Sequence, residues 1–332
     1  MSIGVGVIGA GIMGSDHART LAGRTKGARL VAVSDTDAHR ASAAAAEDSA
    51  RLHLDARALI DDGDVEAVLI ASPDSTHEEL VLACLEAGKP VLCEKPLAPT
   101  IDGCLRVVAA ETARGRRLVQ VGFMRRFDPG YSAMQAALTT GDLGAPLLMH
   151  CVHRNASVPP SFDSGMLISN SAVHEIDIAR WLLDDEFASA TVFRRTPRGA
   201  AALIDPQFIV LETRGGVLVD IEVFVNAAYG YDVRAELVCE AGTLTLAPQP
   251  PVRIRFLGQE ASHFASDWRA HFAAAYRNQL QAWITALRTG APVGASAWDG
   301  YVSTSTAAAC LDALRTGRTA FVQLQPRPRL YD

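Results

Sequence analysis

The chain has 332 residues, a formal net charge of −6 and an apolar fraction of 49%. That length suits two domains with well-filled cores rather than one. A mild acidic excess gives no reason to expect a nucleic-acid backbone or an anionic membrane as partner, so the expected partner is a small molecule.

Residues 3–16 read IGVGVIGAGIMGSD, a β-branched strand running into Gly9, Ala10, Gly11, Ile12, Met13 and Gly14. A second apolar run, ARLVAVSD, ends on Asp35. This is a dinucleotide fingerprint: Gly9 allows the turn off the strand, Gly11 lets backbone approach a pyrophosphate, and Gly14 lets the helix pack on the sheet. Ile12 and Met13 complete the loop, and the N–H groups of the helix start face the phosphates. Asp35 can accept hydrogen bonds from both ribose hydroxyls and would repel a 2′-phosphate, so the expected cofactor is NAD rather than NADP.

As far as residue 122, apolar strands alternate with helical stretches: Asp37 to Ala50, VEAVLIAS, Thr76 to Ala87, PVLCEKP, Ile101 to Arg114 and RRLVQVGF. Apolar strands alternating with helices predict an α/β fold, a doubly wound parallel sheet covered on both faces. Beyond Phe123 the strands PLLMHCVHR, ASATVFRR, FIVLETRGGVLVDIEVFV, RAELVCEAGTLTLAP and VRIRF follow one another directly. Short connections of this kind predict an open, largely antiparallel sheet in an α+β domain. In the hairpin at Arg214 to Gly216, Val217, Val219, Ile221, Val223 and Val225 share one face, while Leu218, Asp220, Glu222 and Phe224 share the other. One face is core and the other meets solvent or another subunit. Trp268, Phe272, Tyr276, Leu280, Trp283 and Leu287 then recur at helical steps, a core stripe, and a second helix covers Trp298 to Thr316. The tail from Gln323 reads as an extended edge or a loose end. The change of period divides the chain into domains at 1–122 and 123–332.

Cysteines 84, 93, 104, 151, 239 and 310 include no CxxC pair, so neither a zinc site nor a disulfide framework is expected. Glycines interrupt the first apolar stretch, which reads as neither signal peptide nor membrane span, and a cytoplasmic protein is expected.

Oxidation of a secondary alcohol needs a base for the hydroxyl proton and a cation or donor for the developing alkoxide. Lysine occurs only at 26, 89 and 95. Lys95, in Glu94-Lys95-Pro96, follows the strand PVLC at the carboxyl edge of the sheet, where ligands bind in doubly wound folds. His174 opens SAVHEIDIARWLL, with Asn170 or Ser171 placed to cap the helix. Asp177 and Trp181 share its helix face, so Asp177 can orient the imidazole or touch the same ligand.

The glycine-rich opening, Ala71-Ser72-Pro73-Asp74-Ser75-Thr76-His77, Glu94-Lys95-Pro96, GFMRRFDP at 122–129, His174-Glu175-Ile176-Asp177 and DWR at 267–269 together resemble the glucose-fructose oxidoreductase / inositol dehydrogenase / MocA (Gfo/Idh/MocA) family over essentially the whole length. GFMRRFDP and HEID most resemble its inositol 2-dehydrogenase branch. The resemblance implies a Rossmann domain, an open-faced α/β domain, an active site between them, and Lys95 and His174 as catalytic pair. It also implies dimers or tetramers formed through the open sheet face. By the same analogy Ser72, Pro73 and His77 line the cofactor path, Glu94 lies near the nicotinamide ribose, Arg125 lies near cofactor or substrate, and Tyr231 reaches the substrate. His77 and Tyr231 serve equally well as packing residues.

One position departs from the family pattern. Four residues before the catalytic histidine, where inositol dehydrogenases carry Asp, stands Asn170. An amide can hydrogen-bond a substrate hydroxyl but cannot stabilise an imidazolium by charge. Either Asp177 supplies that charge or the substrate differs from myo-inositol. The expected reaction is NAD-dependent oxidation of a ring hydroxyl on a cyclic polyol, with Asn155, Asn170, Asp177 and Tyr231 reading the other hydroxyls. The alternatives are a dehydrogenase of another sugar or sugar acid, a non-catalytic NAD-bound sensor, and a lyase or hydrolase using NAD transiently.

Overall fold

A computed structural model describes residues 2–195, 203–246, 253–262 and 264–332. The chain forms two compact units: Met1–Met124 with Tyr276–Thr304 and Gln325–Asp332, and Arg125–Ala275 with Ser305–Leu324. The chain leaves the first unit after Met124 and returns to it at Tyr276 and again at Gln325. A helical stripe does not say which sheet the helix covers, so the sequence carries no mark of the returns.

In the first unit the chain runs β1 (Ile3–Ile8), α1 (Ile12–Arg24), β2 (Ala28–Ser34), α2 (Ala38–Ala45), β3 (Arg51–His53), α3 (Ala56–Asp61), β4 (Ala67–Ile70), α4 (His77–Glu86), β5 (Val91–Cys93), α5 (Ile101–Ala113) and β6 (Val119–Val121). The six strands are ordered β3-β2-β1-β4-β5-β6 and all pair in parallel. Strand order reverses between β1 and β4, which opens a crevice beyond their carboxyl ends. Val5, Val7, Leu30, Val33, Leu69 and Leu92 pack with Ala18, Leu21, Ala41 and Ala44, and Leu280, Trp283 and Ile284 of the returning segment close the same core. The strand β3 and helix α3 have no counterpart in the sequence reading. At this sheet edge Arg51 and Leu52 are exposed, so no apolar run announces the strand.

The second unit begins with α6 (Pro129–Thr139), β7 (Pro146–Arg154) and α7 (Val173–Leu183). Strands β8 (Phe187–Arg194), β9 (Gln207–Thr213), β10 (Leu218–Phe224), β11 (Asp232–Cys239) and β12 (Gly242–Thr245) follow. The hairpin β13 (Arg253–Phe256) and β14 (Gln259–Ser262) forms its own two-stranded sheet, so the RIRF part of VRIRF does not join the main one. The expected strand parts at 247, 248 and 252 lie outside the described residues. Helices α8 (Trp268–His271), α9 (Ala273–Thr289) and α10 (Ala297–Thr316) and strand β15 (Ala320–Phe321) complete the chain. The seven strands are ordered β12-β11-β7-β10-β9-β8-β15; β7 and β10 pair in parallel and the rest are antiparallel. The sheet is therefore mixed, as one long crossover between β7 and β10 requires.

Along β10, Val219, Ile221 and Val223 are fully buried, while Leu218 is exposed and Asp220, Glu222 and Phe224 are half-buried. The expected division of faces holds. The tail is tethered in the first unit: the Gln325 N–H donates to the Tyr301 hydroxyl at 2.8 Å, and the Tyr331 hydroxyl to Glu111 at 2.6 Å. Of the two readings of this segment, the loose end is the one the structure removes.

Candidate functional site

The half of the candidate residues that lies in the first unit is built from backbone. Gly9 has φ +91°, and a Cβ there would stand 2.5 Å from the Ser72 nitrogen. A Cβ on Gly14 would collide with the Gly9 carbonyl oxygen, so this glycine lets α1 start directly against the turn. Around Gly11, by contrast, an added Cβ meets nothing within 4 Å. Protein packing does not require glycine at 11; a ligand approaching the loop does. Ile12, in the first turn of α1, is 68% exposed and stands beside that open space. This loop fits a bound dinucleotide: room over Gly11, and N–H groups of a helix start whose N-cap, Gly11, offers no side chain to compete.

Asp35 at the end of β2 ties the loop down. Its Oδ2 accepts from the Ala10 N–H at 2.7 Å; its Oδ1 accepts from the Asp37 N–H at 2.8 Å and from Arg40 at 3.2 Å. A carboxylate offers about four acceptor positions. Three are taken, so Asp35 keeps capacity for about one ribose hydrogen bond rather than two.

Beyond β4, the Ser72 hydroxyl lies 2.7 Å from the Thr76 hydroxyl, which donates to the Pro73 carbonyl at 2.8 Å. Pro73 is exposed. His77 is fully buried, with Nδ1 2.7 Å from the Pro96 carbonyl oxygen and Nε2 3.0 Å from that of Ser72. Both ring nitrogens are committed to backbone, so His77 does not reach toward a cofactor as the resemblance implies.

Glu94, at the end of β5, is held by His17, whose Nε2 lies 2.8 Å from Oε1. The Lys95 N–H donates to Glu94 Oε2 at 3.3 Å. Gly122 permits this packing, since a Cβ there would stand 2.9 Å from Oε2. His17 is buried at 1% exposure and meets the Tyr276 ring edge-on at 5.9 Å. The sequence reading passed over it; its signal was a histidine one turn beyond the glycine loop. Lys95 is half-buried, joined by a cis peptide bond to Pro96.

The other half of the candidate residues, in the second unit, is built from charge. A π turn over Leu167–Ala172 carries Asn170 and runs straight into α7. The helix N-cap is Ala172, without a side-chain hydrogen bond, so neither Asn170 nor Ser171 caps it. The preceding turn makes a cap unnecessary, and π turns of this kind are frequent at functional sites. His174 is 9% exposed, its ring 6.4 Å from that of His153. The His153 Nδ1 lies 2.9 Å from Glu175 Oε2, and its Nε2 3.2 Å from the Asn155 side-chain oxygen.

Arg125 is 1% exposed and donates to Glu175, with its guanidinium 5.1 Å above the Phe272 ring. Its charge thus serves an internal pair. Burial pushes the Glu175 carboxyl up, but Arg125 and His153 outweigh it and hold the group below its ordinary value. Next along the chain, Arg126 grips both oxygens of Asp177, at 2.6 and 3.0 Å. The Asp177 charge is therefore balanced by a guanidinium, which weakens it as a source of negative charge for His174. Tyr231 packs edge-on against His153 at 5.8 Å and His271 at 5.3 Å, and burial pushes its hydroxyl up to about 12. His271 is driven down to about 4, by burial first and by Arg125 second.

His153 and the Glu175 carboxylate are members of this half that the sequence reading did not assign. Their signal was present: Met149, Cys151 and His153 share the buried parity of β7, so the histidine had to point inward.

All six cysteines are free and buried. No helix among the described residues is long and apolar enough to cross a membrane.

Residues 3–123 match the NAD-binding Rossmann fold of the Gfo/Idh/MocA oxidoreductase family, and residues 135–324 its C-terminal α/β domain. The chain is 54% identical to inositol 2-dehydrogenase 2 of Saccharopolyspora erythraea over 100% of its own length and 98% of that protein's. Against inositol 2-dehydrogenase of Ralstonia nicotianae it is 45% identical, covering 100% and 99%. Among solved structures, the myo-inositol dehydrogenase of Lactobacillus casei, in complex with NAD(H) and myo-inositol, superposes with a TM-score of 0.95 at 35% identity, over 100% of both chains. The glycine loop, Asp35 and these full-length matches lead to one conclusion: the chain belongs to the Gfo/Idh/MocA oxidoreductase family and is an NAD-dependent dehydrogenase.

Proposed function

We propose that the protein oxidises a secondary ring hydroxyl of an inositol, myo-inositol first, to the ketone. The observation that carries this is the full-length likeness to an enzyme crystallised with NAD(H) and myo-inositol. Bound NAD supplies the hydride acceptor. The loop Gly9, Gly11, Ile12, Met13 and Gly14 takes the pyrophosphate, with Asp35 on the ribose. His174 takes the hydroxyl proton as base, and Lys95 polarises the oxygen so that negative charge developing there is stabilised. Asn155, Asn170 and Tyr231 read the remaining hydroxyls, and Asp177, held by Arg126, steadies the helix that presents His174.

Asn170 favours a second reading, a related sugar or sugar acid, because an amide offers a donor where a carboxylate only accepts. Initial rates of NADH formation across inositol isomers, aldoses and aldonates separate the two. Turnover with an inositol and NAD, lost in Lys95→Ala, is the expected result; turnover confined to an aldose or aldonate would select the second reading.

We also assign self-association to the outer face of the seven-stranded sheet. Phe193, Phe208, Leu218 and Phe321 are exposed there, on β8, β9, β10 and β15, beside the pairs His150–Asp220 and Arg154–Glu222 that join β7 to β10. Exposed apolar side chains with ion pairs at one side suit an interface between copies. Light scattering should give a dimer or tetramer, reduced in mass by Phe193→Glu; an unchanged mass would remove the face from the interface. Free cysteines and dependence on NAD both suit a cytoplasmic enzyme.

A further inference from the structure

We infer that His77 is a positioning residue that sets the distance between the cofactor loop and Lys95. The inference rests on the reading of Lys95 as catalytic. His77 opens α4 and its side chain is fully buried, while the two backbone carbonyls it meets belong to half-buried residues. One ring nitrogen meets the carbonyl of Pro96, the residue after Lys95; the other meets the carbonyl of Ser72, beyond β4. Ser72 in turn abuts the glycine loop, since its nitrogen lies 2.5 Å from where a Gly9 Cβ would stand. A continuous chain of contacts therefore runs from Gly9 through Ser72 and His77 to Pro96 and Lys95.

Lys95 needs such a brace. Its side chain has four rotatable bonds, so the aim of the ammonium depends on where its own backbone is fixed. Glu94, clamped by His17, fixes the side before it. The Pro96 carbonyl, gripped by His77, fixes the side after it. A neutral ring donates to one of the two carbonyls and an imidazolium to both; loss of the ring leaves the carbonyls without that donor. A slack Pro96 lets Lys95 drift, and a drift of about 1 Å in a reacting group costs up to about a hundredfold in rate.

The test measures kcat, KM for myo-inositol and the NAD dissociation constant in His77→Ala and His77→Gln, each alone and combined with Lys95→Met. The expected result is a fall in kcat of about ten- to a hundredfold in His77→Ala with little change in NAD affinity. Partial recovery is expected in His77→Gln, which keeps an N–H donor. Slow accumulation of reduced cofactor in the Lys95→Met background should be indifferent to the His77 substitutions, because a residue acting through Lys95 has nothing left to act on. Wild-type kcat in folded His77→Ala overturns the inference. So does a parallel loss of NAD affinity, an additive loss in the Lys95→Met background, or failure of both His77 variants to fold. Should Lys95→Met alone keep full activity, the catalytic reading of Lys95 is the one that fails.

Discussion

Glu111 in the first unit and Glu175 in the second are equally removed from water, at 0% and 1% exposure, yet they are held by opposite means. Glu111 is surrounded by neutral donors: the N–H groups of Leu118 and Val119 at 2.5 and 2.6 Å, and the Tyr331 hydroxyl at 2.6 Å. Burial prevails over these bonds, and its carboxyl is raised. Glu175 faces the Arg125 guanidinium and the His153 ring, which prevail over burial, and its carboxyl is lowered. The contrast extends to the two halves of the candidate residues, one in each unit. The cofactor half is made of backbone and absent side chains; the half around His174 is made of charges that balance one another. Each should therefore fail in its own way.

The largest effect is expected from Glu175→Gln. Arg125 would stay buried without the carboxylate it pairs with, and breaking a buried pair in this way costs about 3–5 kcal/mol. Urea unfolding, read separately in each unit by peptide-resolved hydrogen exchange, should show the loss in the second unit first. The pH dependence has a definite sign. A carboxyl lowered on folding contributes stability above its unfolded value, and that contribution is lost as pH falls through the folded value. The variant should lack this part of the acid limb. A loss under 1 kcal/mol would mean that the pair does not hold the unit together.

The cofactor half should break on a single methyl, and differently at each glycine. In Gly14→Ala the new carbon meets the Gly9 carbonyl, so backbone must move, at about 1–3 kcal/mol or more. In Gly11→Ala the carbon enters open space, so stability should stay within about 0.5 kcal/mol of wild type while NAD affinity falls. Thermal unfolding with and without NAD checks both. Equal stability losses at the two positions would contradict the distinct roles assigned to them.

This difference in construction explains what could be read from the chain alone. Gly9, Gly11, Gly14 and Asp35 were legible because a backbone-made site imposes residue type and spacing within one strand-turn-helix unit. The open sheet was legible from β10, where alternation is strict. The network around His174 was legible only in part. His153 and Glu175 lie 22 residues apart and meet because β7 and α7 pack face to face, which no local pattern encodes. Likewise Arg125 and Arg126 are adjacent in sequence yet serve different carboxylates, Glu175 and Asp177. His77 shows the reverse limit: its position in a motif was plain, but its direction, into two carbonyls rather than toward a ligand, depends on a fold around it.

The smallest expected effect is the most discriminating. Glu111→Gln keeps an acceptor oxygen for the Leu118 and Val119 N–H groups and removes a charge that burial disfavours. The lost strength of charged hydrogen bonds and the relieved desolvation oppose each other, so stability at pH 7 should change by no more than about 1 kcal/mol. The sign with pH is opposite to that at Glu175. A carboxyl raised on folding binds its proton more tightly in the folded state, so wild-type stability gains as pH falls through the raised value toward the ordinary glutamate value, about 4.3. The variant has no such proton to bind, and its stability relative to wild type should decline over that window. If Glu111→Gln instead cost as much as Glu175→Gln, and its deficit shrank on acidification, the first unit would also depend on a buried charge, and the contrast between the two units would be lost.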